Sequence, residues 1–174
     1  MLRSLESGFG KWCIMSLDTI AIDIMTALQA LIAAQLPNVQ APAPSIYPTS
    51  ISPTNGQPFC MTVLGSGEGW QKGAGYSQGA YVYRVLVFLD PTAQSDIPSH
   101  VVDGANIYQQ FMNVFILSSN TPLFNPGAYQ ATIQSGPDGP HISGSGPGPT
   151  LRFGGTDWYG FELAVPVRWQ GPQV

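Results

Sequence analysis

The stretch Ala80–Asp90 constrains the fold more than any other part of the chain, because it has the pattern of a long strand with two apolar faces. Strand side chains alternate, so one face carries Tyr81, Tyr83, Val85, Val87 and Leu89, and the other carries Val82, Arg84, Leu86 and Phe88. A strand with one solvated face shows a polar residue at every second position. We therefore expect helices on one face and either a second layer or another subunit on the other.

Two helices are predicted, one on each side of this strand in the sequence. In Ser16–Pro37 an apolar stripe recurs at helical spacing, and Asp18 and Asp23 interrupt the apolar run. These carboxylates favour an amphipathic helix over a signal peptide or a membrane span. The second helix is predicted to begin at Asp96–Pro98, where a capping carboxylate precedes an early proline, and to end near Ser118.

The remaining strands and loops define an α+β fold. Further strands are predicted at Phe59–Leu64, Tyr129–Gln134, Leu151–Phe153 and Asp157–Trp169, with Ile46–Ile51 as at most an edge strand among prolines. Glycine-rich residues 65–79 and 136–149 are predicted to be long loops. The expected architecture is a mixed or antiparallel sheet of about 4–5 strands flanked by two helices, with residues 1–15 as an arm and residues 16–174 as one domain.

The last strand, Asp157–Trp169, alternates throughout and presents a second large apolar surface. Pro166 predicts an edge or a bulge, because proline cannot donate to a sheet ladder. A long apolar edge strand aggregates unless another chain pairs with it, so we expect a neighbouring subunit there. Pairing with the central strand would place Arg84 and Glu162 on one side as a cross-strand charge pair worth no more than about 1 kcal/mol.

The composition disfavours a dedicated nucleic-acid binder. Only 9% of residues are charged, against about 25% in ordinary soluble domains, so uncharged polar residues or partners must cover much of the surface. Six scattered basic residues and a net charge of −4 do not form a phosphate-binding cluster, although passing contact with DNA stays open. Cys13 and Cys60 show no CxxC spacing and are predicted to be free, buried thiols, with a disulfide left open.

No catalytic, cofactor-binding or metal-binding constellation is predicted. The run after Gly65 lacks the Lys-Ser/Thr of a phosphate loop, and His100 and His141 are predicted to be solvated. Glu162 is the one carboxylate on a firm strand, and a salt bridge is its preferred interpretation over hydrolysis. The residues predicted to form a subunit or partner interface are Trp70, Lys72, Arg84, Trp158, Glu162 and Arg168.

The order of elements resembles the tail terminator and tail-to-head joining proteins of long-tailed bacteriophages. The similarity lies in the Ser16–Pro37 helix, the Tyr81–Leu89 strand followed by Asp90-Pro91, and the Gly154-Gly155 entry to the last strand with Tyr159, Gly160 and Phe161. The resemblance implies a non-enzymatic virion protein without a cofactor that forms a hexameric ring on the tail tube and joins it to the head-completion or connector protein. DNA would pass through an acidic lumen without sticking, and no membrane is involved.

Two other classes of function stay open. A secreted or surface carbohydrate-binding β-domain would use Trp70, Trp158 and Trp169 together with the glycine-rich loops, although Trp158 and Trp169 fall on opposite strand faces. A hydrolase would use Glu162. Another minor tail or head-completion protein is an alternative within the virion class.

Overall fold

The computed structural model describes residues 17–42, 58–73, 76–91, 97–119, 121–124, 129–143 and 150–172. These residues form two helices, α1 Leu17–Gln35 and α2 Ile97–Leu117, and seven strands: β1 Phe59–Gly73, β2 Tyr76–Pro91, β3 Pro122–Phe124, β4 Gln130–Ile133, β5 His141–Ile142, β6 Thr150–Phe153 and β7 Thr156–Pro172. The predicted arm 1–15, the Ser16 and Asp96 helix starts and the Ile46–Ile51 strand lie outside the described residues.

Helix α1 matches the predicted amphipathic helix and packs its apolar stripe on the sheet. Ile20, Ile24, Leu28 and Ile32 are buried in the main core. Two tyrosines hydrogen-bond the first half of the helix: the hydroxyl of Tyr83 on β2 donates to the carbonyl of Ala21 at 2.9 Å, and the hydroxyl of Tyr129, just before β4, donates to the Asp23 carboxylate at 2.7 Å. These bonds fix where the helix crosses the strands.

Helix α2 covers the same face of the sheet through aromatic side chains. The ring of Phe161 on β7 meets Tyr108 at 5.7 Å and Phe111 at 6.0 Å between centroids, both nearly edge to face. Phe115 is fully buried beside Phe111. Aromatic pairs in this geometry are favoured beyond the apolar area they bury, so α2 is anchored mainly by rings.

The strands form one antiparallel sheet in the order β1-β2-β7-β4-β3, and β5 and β6 also pair with β7. The α+β class with helices against a sheet is confirmed, whereas the expected number of strands was too low. Strand β7 pairs with β2 along one edge and with β6, β5 and β4 in succession along the other. The prediction that the last strand is an edge strand awaiting a subunit is therefore wrong.

Pro166 has no N–H to donate, and it is tolerated inside the sheet because it lies where one neighbouring strand ends and the next begins. The ladder of β5 reaches Ala164 and that of β4 begins at Val167, so Pro166 lies at the junction between them. Its carbonyl accepts the Gln134 N–H at 2.9 Å. In an antiparallel strand the N and the C=O of one residue point to the same edge, so the missing donor faces this junction.

The glycine-rich segment 65–79 was predicted to be a projecting loop, whereas its described residues, 65–73 and 76–79, continue β1 and β2 as paired strands. Strands β1 and β2 pair from Phe59↔Phe88 to Gly73↔Tyr76, with register shifts after Leu64 and Glu68. In the second predicted loop, 136–149, the structure has a 3-10 turn at Gly136–Asp138 and the short strand β5. The first loop prediction is wrong for the described residues, and the second is wrong only at the two residues of β5.

The two faces of the sheet are covered differently. The face carrying Tyr83, Val85 and Leu163 packs under both helices and forms one large core. The opposite face holds a smaller buried cluster of Phe59, Met61, Phe88 and Trp158, against which Leu86, Leu151 and Phe153 pack. The sequence predicted two covered faces, and part of the helix-free face is covered by the chain's own β6–β7 hairpin.

Candidate functional site

The outer edge of β1 is closed at its beginning. The Cys60 N–H donates to the carbonyl of Gln40 at 2.9 Å, and the Cys60 carbonyl accepts from the Gln29 side-chain amide at 3.0 Å. Gln29 also accepts a hydrogen bond from the Thr62 hydroxyl, so this buried glutamine of α1 supplies hydrogen-bond partners to two residues of β1. Burial raises the pKa of the Cys60 thiol to about 12, which keeps it protonated and unreactive.

The next part of the same edge is open. Residues 64–67 are all exposed, and no strand within the described ranges lies outside β1 there. Leu64 is 47% exposed although it is large and apolar. The stretch Leu64–Gly67 carries no charge and no proline, either of which would hinder pairing with another chain. The register shift at Gly65 is the one feature of this stretch that hinders such pairing.

Ile22 adds a second exposed apolar side chain at this corner. It lies two helical turns before Gln29 and therefore on the side of α1 that faces β1. The neighbouring Ala21 accepts the hydroxyl of Tyr83, and Tyr83 pairs with Leu64 in the sheet. Ile22 is 54% exposed. We call Ile22 together with residues 64–67 the β1 corner.

The glycines of the β1 corner lie within a strand because neighbouring side chains leave no room for a Cβ. A Cβ on Gly67 would lie 3.1 Å from the ring of Tyr81, and one on Gly65 would lie 3.0 Å from Cγ of Arg84. Side chains of β2 thus extend across the backbone of β1, which needs residues without side chains. The glycine count alone suggested a loop, and alternation with the large residues facing them was the signal that sequence reasoning missed.

The predicted charge pair between Arg84 and Glu162 is present. The Arg84 guanidinium donates two bonds to the carboxylate, from Nε at 2.7 Å and from a terminal nitrogen at 2.5 Å. The Arg84 side chain is 48% exposed and that of Glu162 is 12% exposed. The bond from Arg84 lowers the pKa of Glu162. A carboxylate held ionised in this way is a poor proton donor, so the pair does not suit the general acid of a hydrolase.

The other predicted interface residues are spread over the sheet. Trp158 is buried in the cluster on the helix-free face, and Arg168 is exposed on β7 between Ala80 and Thr132. Trp70 and Lys72 lie in β1. The structure therefore brings Arg84 and Glu162 together and does not gather all six residues at one place.

The carbohydrate-binding alternative predicted a site with Trp70, Trp158 and Trp169. Trp158 and Trp169 are both buried, on opposite faces of the sheet, so neither is accessible to a sugar. A shallow groove between α2 and the end of β2 is lined by carboxylates and amides that hydrogen-bond sugars, namely Asp90, Asp103, Asn106 and Gln110, with Pro58, Leu89 and Ile107 beside them. None of the described residues that line it is aromatic. The groove therefore offers hydrogen-bonding groups for a sugar but no described ring on which the sugar could stack, which is weak support for carbohydrate binding.

His141 is exposed on β5, with its Nδ1 2.9 Å from the carbonyl of Gly139. Within the described ranges, no three His, Cys, Asp or Glu side chains are arranged to hold a metal ion. In that same part of the chain, neither helix combines the length and the apolar character needed to cross a membrane.

Comparison with known proteins adds no assignment: no family model matches the chain, and no curated protein matches it significantly.

Proposed function

We propose that this chain is a non-enzymatic structural subunit that assembles with copies of itself, in a ring at the head–tail junction of a long-tailed bacteriophage. One observation carries the proposal: the β1 corner offers an uncharged strand edge with exposed Leu64, and this open edge begins where the chain's own protection of β1 ends. Edge strands of this kind pair readily with another chain.

The outer edge of β1 is covered near Cys60 and uncovered near Leu64. Gln40 and Gln29 satisfy the backbone of Cys60, whereas four residues later Leu64 exposes almost half of its surface. Natural sheets protect open edges with lysines, prolines or covering segments. Covering by a neighbouring copy would bury Leu64 and Ile22 and pair the backbone of residues 64–67.

The position of the two sheet edges supports a ring over a simple pair. Strand β1 lies at one end of the sheet order and β3 at the other. A contact from the β1 edge of one copy to the β3 edge of the next is head to tail, and such contacts close into rings when the rotation permits. The proposed strand pairing with a neighbouring subunit thus moves from β7, where the sequence analysis expected it, to β1.

The setting in a virion is supported by the resemblance in the order of elements and by the charge. Ten acidic and six basic residues give a ring that holds DNA weakly while it passes. In this proposal the partners are further copies of the chain, a tail tube protein and a head-completion or connector protein, and the protein is located in the virion. Another minor tail or head-completion role is the alternative within this class.

The test is the size and shape of the purified protein. We expect light scattering to give a closed oligomer, near six times the 18.6 kDa of the chain, and negative-stain images to show rings. Leu64→Asp should disassemble the rings because it places a charge at the contact. Ala30→Asp, on the exposed side of α1, is the matched control and should leave them intact.

A monomer at all concentrations, or rings that survive Leu64→Asp, would contradict assembly through the β1 corner. The virion setting is tested separately by the neighbouring genes. Head and tail genes on both sides are expected, and a neighbourhood without them would remove the phage assignment while leaving self-assembly to be judged by the size measurement.

A further inference from the structure

The chain's own segment after α1 begins to pair with the outer edge of β1. Gln40 forms a parallel bridge with Phe59. Its N–H donates to the carbonyl of Pro58 at 2.8 Å, and its carbonyl accepts from the N–H of Cys60 at 2.9 Å. This is the bond pattern of a parallel strand added to the edge of a sheet. Within residues 17–42 it is the one bridge to β1.

Pro42 cannot continue this pairing. In a parallel ladder every second residue directs its N–H and its carbonyl to the same neighbour, so residue 42 would be the next donor, to the carbonyl of Cys60. Proline has no N–H. The sequence repeats the feature at Pro44, whose position in the same register corresponds to the carbonyl of Thr62. Two prolines at this spacing remove two successive donors to β1.

The side chain of Gln29 takes the place of the first missing donor. Its Nε2 donates to the carbonyl of Cys60 at 3.0 Å, and Gln29 is 2% exposed. A buried carbonyl left without a donor destabilises a fold, so a proline at position 42 requires a substitute. A side chain of α1 satisfies this one carbonyl, whereas a strand would continue along the edge.

A continued ladder would cover the β1 corner. The backbone groups of a strand alternate between its two edges, so Leu64, like Cys60, directs its N–H and its carbonyl outward. In the register set by Gln40, residue 44 would accept from Leu64 and residue 46 would donate to it. The two prolines therefore interrupt this register before it reaches Leu64.

We propose that Pro42 and Pro44 are stop residues, which end the chain's own pairing with β1 and so reserve the β1 corner for another chain, with Gln29 as the substitute donor. Prolines within an edge strand protect that edge, but these prolines lie in the segment that would cover it, so they leave it open. The inference rests on the proposed function only for what pairs with the reserved edge, and the stop itself is tested on the single chain.

A double-mutant cycle tests the exchange of donors. Gln29→Leu should lower the urea midpoint, because it removes the donor to the Cys60 carbonyl and the acceptor of the Thr62 hydroxyl. In that background Pro42→Ala should reverse part of the loss, since it restores a backbone N–H, and in the unmodified chain it should give a smaller gain. Pro137→Ala, in an exposed 3-10 turn, is the matched control and should reverse nothing.

Hydrogen exchange tests whether the prolines keep the edge open. At a protein concentration where light scattering gives the mass of one chain, the Leu64 amide should exchange rapidly. In the variant Pro42→Ala/Pro44→Ala it should exchange about tenfold more slowly, because the restored donors let the segment pair along β1. A carbonyl has two lone pairs, so Gln29 can stay in place, and this measurement stands even if Gln29→Leu does not fold.

Assembly gives a third measurement. If the unmodified chain forms rings, the double proline variant should associate about tenfold more weakly, because a copy with a covered edge is not competent to pair. If the unmodified chain stays monomeric at all concentrations, the proposed function fails, and the double-mutant cycle and the hydrogen exchange still decide whether the stop exists.

Three results would overturn the inference. The first is no reversal of the Gln29→Leu loss by Pro42→Ala, or an equal reversal by Pro137→Ala. The second is an unchanged exchange rate of the Leu64 amide in the double proline variant. The third is a variant in which that amide is protected and rings form as well as before, since the edge reserved by the prolines would then not be the contact.

Discussion

The two faces of the sheet are built from the same strands, yet they differ in what covers them. Under the helices, Tyr83, Val85 and Val87 of β2 are completely buried. On the other face of the same strand Val82 and Leu86 are partly exposed and Arg84 is exposed, and only Phe88 is fully enclosed. An apolar pattern on both faces of a strand therefore indicates that both need cover, without indicating how completely each is covered.

The difference predicts that a truncation under the helices is the most damaging. Phe161→Ala should lower the free energy of unfolding by about 4–5 kcal/mol, because the ring is fully buried and its removal leaves a cavity that two helices and a sheet cannot close. Urea denaturation measures this. A loss below about 2 kcal/mol would mean that the helices adapt to the cavity, and that the helix-covered core is looser than the packing of Tyr108 and Phe111 indicates.

The matching truncation on the helix-free face should cost less. Phe88 is the centre of the small cluster, with ring centroids of Phe59, Phe153 and Trp158 at 6.1, 5.7 and 6.2 Å. We expect Phe88→Ala to cost about 3 kcal/mol, since the partly exposed neighbours can move into the space. An equal or larger cost than that of Phe161→Ala, measured in the same denaturant series, would show that the helix-free cluster is a second full core.

A smaller effect is expected where a glycine of β2 lies under an aromatic ring. A Cβ on Gly79 would be 2.9 Å from Nε1 of Trp169, and Trp169 is buried and stacked on Tyr81. Gly79→Ala should cost about 1–3 kcal/mol through this overpacking. Its tryptophan fluorescence should shift as the indole moves.

The control for that variant is Gly154→Ala in the β6–β7 turn, which has open space but a φ of +60°. Strain alone should cost it about 1 kcal/mol, with no change in fluorescence. A stabilising effect of Gly79→Ala would contradict the close packing of this glycine against Trp169.

The smallest effect is expected at the ion pair on the helix-free face. Arg84→Met should change stability at pH 7 by about 0–1 kcal/mol, because Arg84 is half exposed. The lowered pKa of Glu162 means that the pair stabilises the fold above the unfolded carboxyl pKa of about 4.3.

That contribution is lost as pH falls through the lower pKa of the folded state. The difference in stability between the original chain and Arg84→Met should therefore be present at neutral pH and vanish in acid. Urea titrations at several pH values measure it. A difference that grows as pH falls would contradict the pairing.

Local pattern was enough to predict several parts of the molecule. The helices at Leu17–Gln35 and Ile97–Leu117 were predicted nearly to their ends, because apolar spacing and proline positions are local signals. The Arg84–Glu162 pair followed from strand alternation once the two strands were paired. Failures occurred where glycine, taken as a loop residue, served close packing, as at Gly67 and Gly79.

The position of the candidate site was not predictable in the same way. Exposure of Leu64 depends on where α1 ends its cover of β1, and that depends on bonds from Gln29 to residues more than thirty positions away.

Amino-acid order therefore determines which segments become helices and strands and which side chains share a face, because periodicity and backbone preferences act over a few residues. Which strand lies inside the sheet, and which apolar residues stay uncovered, is decided by folding. Pro166 looked like the mark of an edge, yet β4 and β5 meet beside it and place β7 in the interior. Backbone pairing between distant segments depends on how all the layers pack together, and no single segment carries that information.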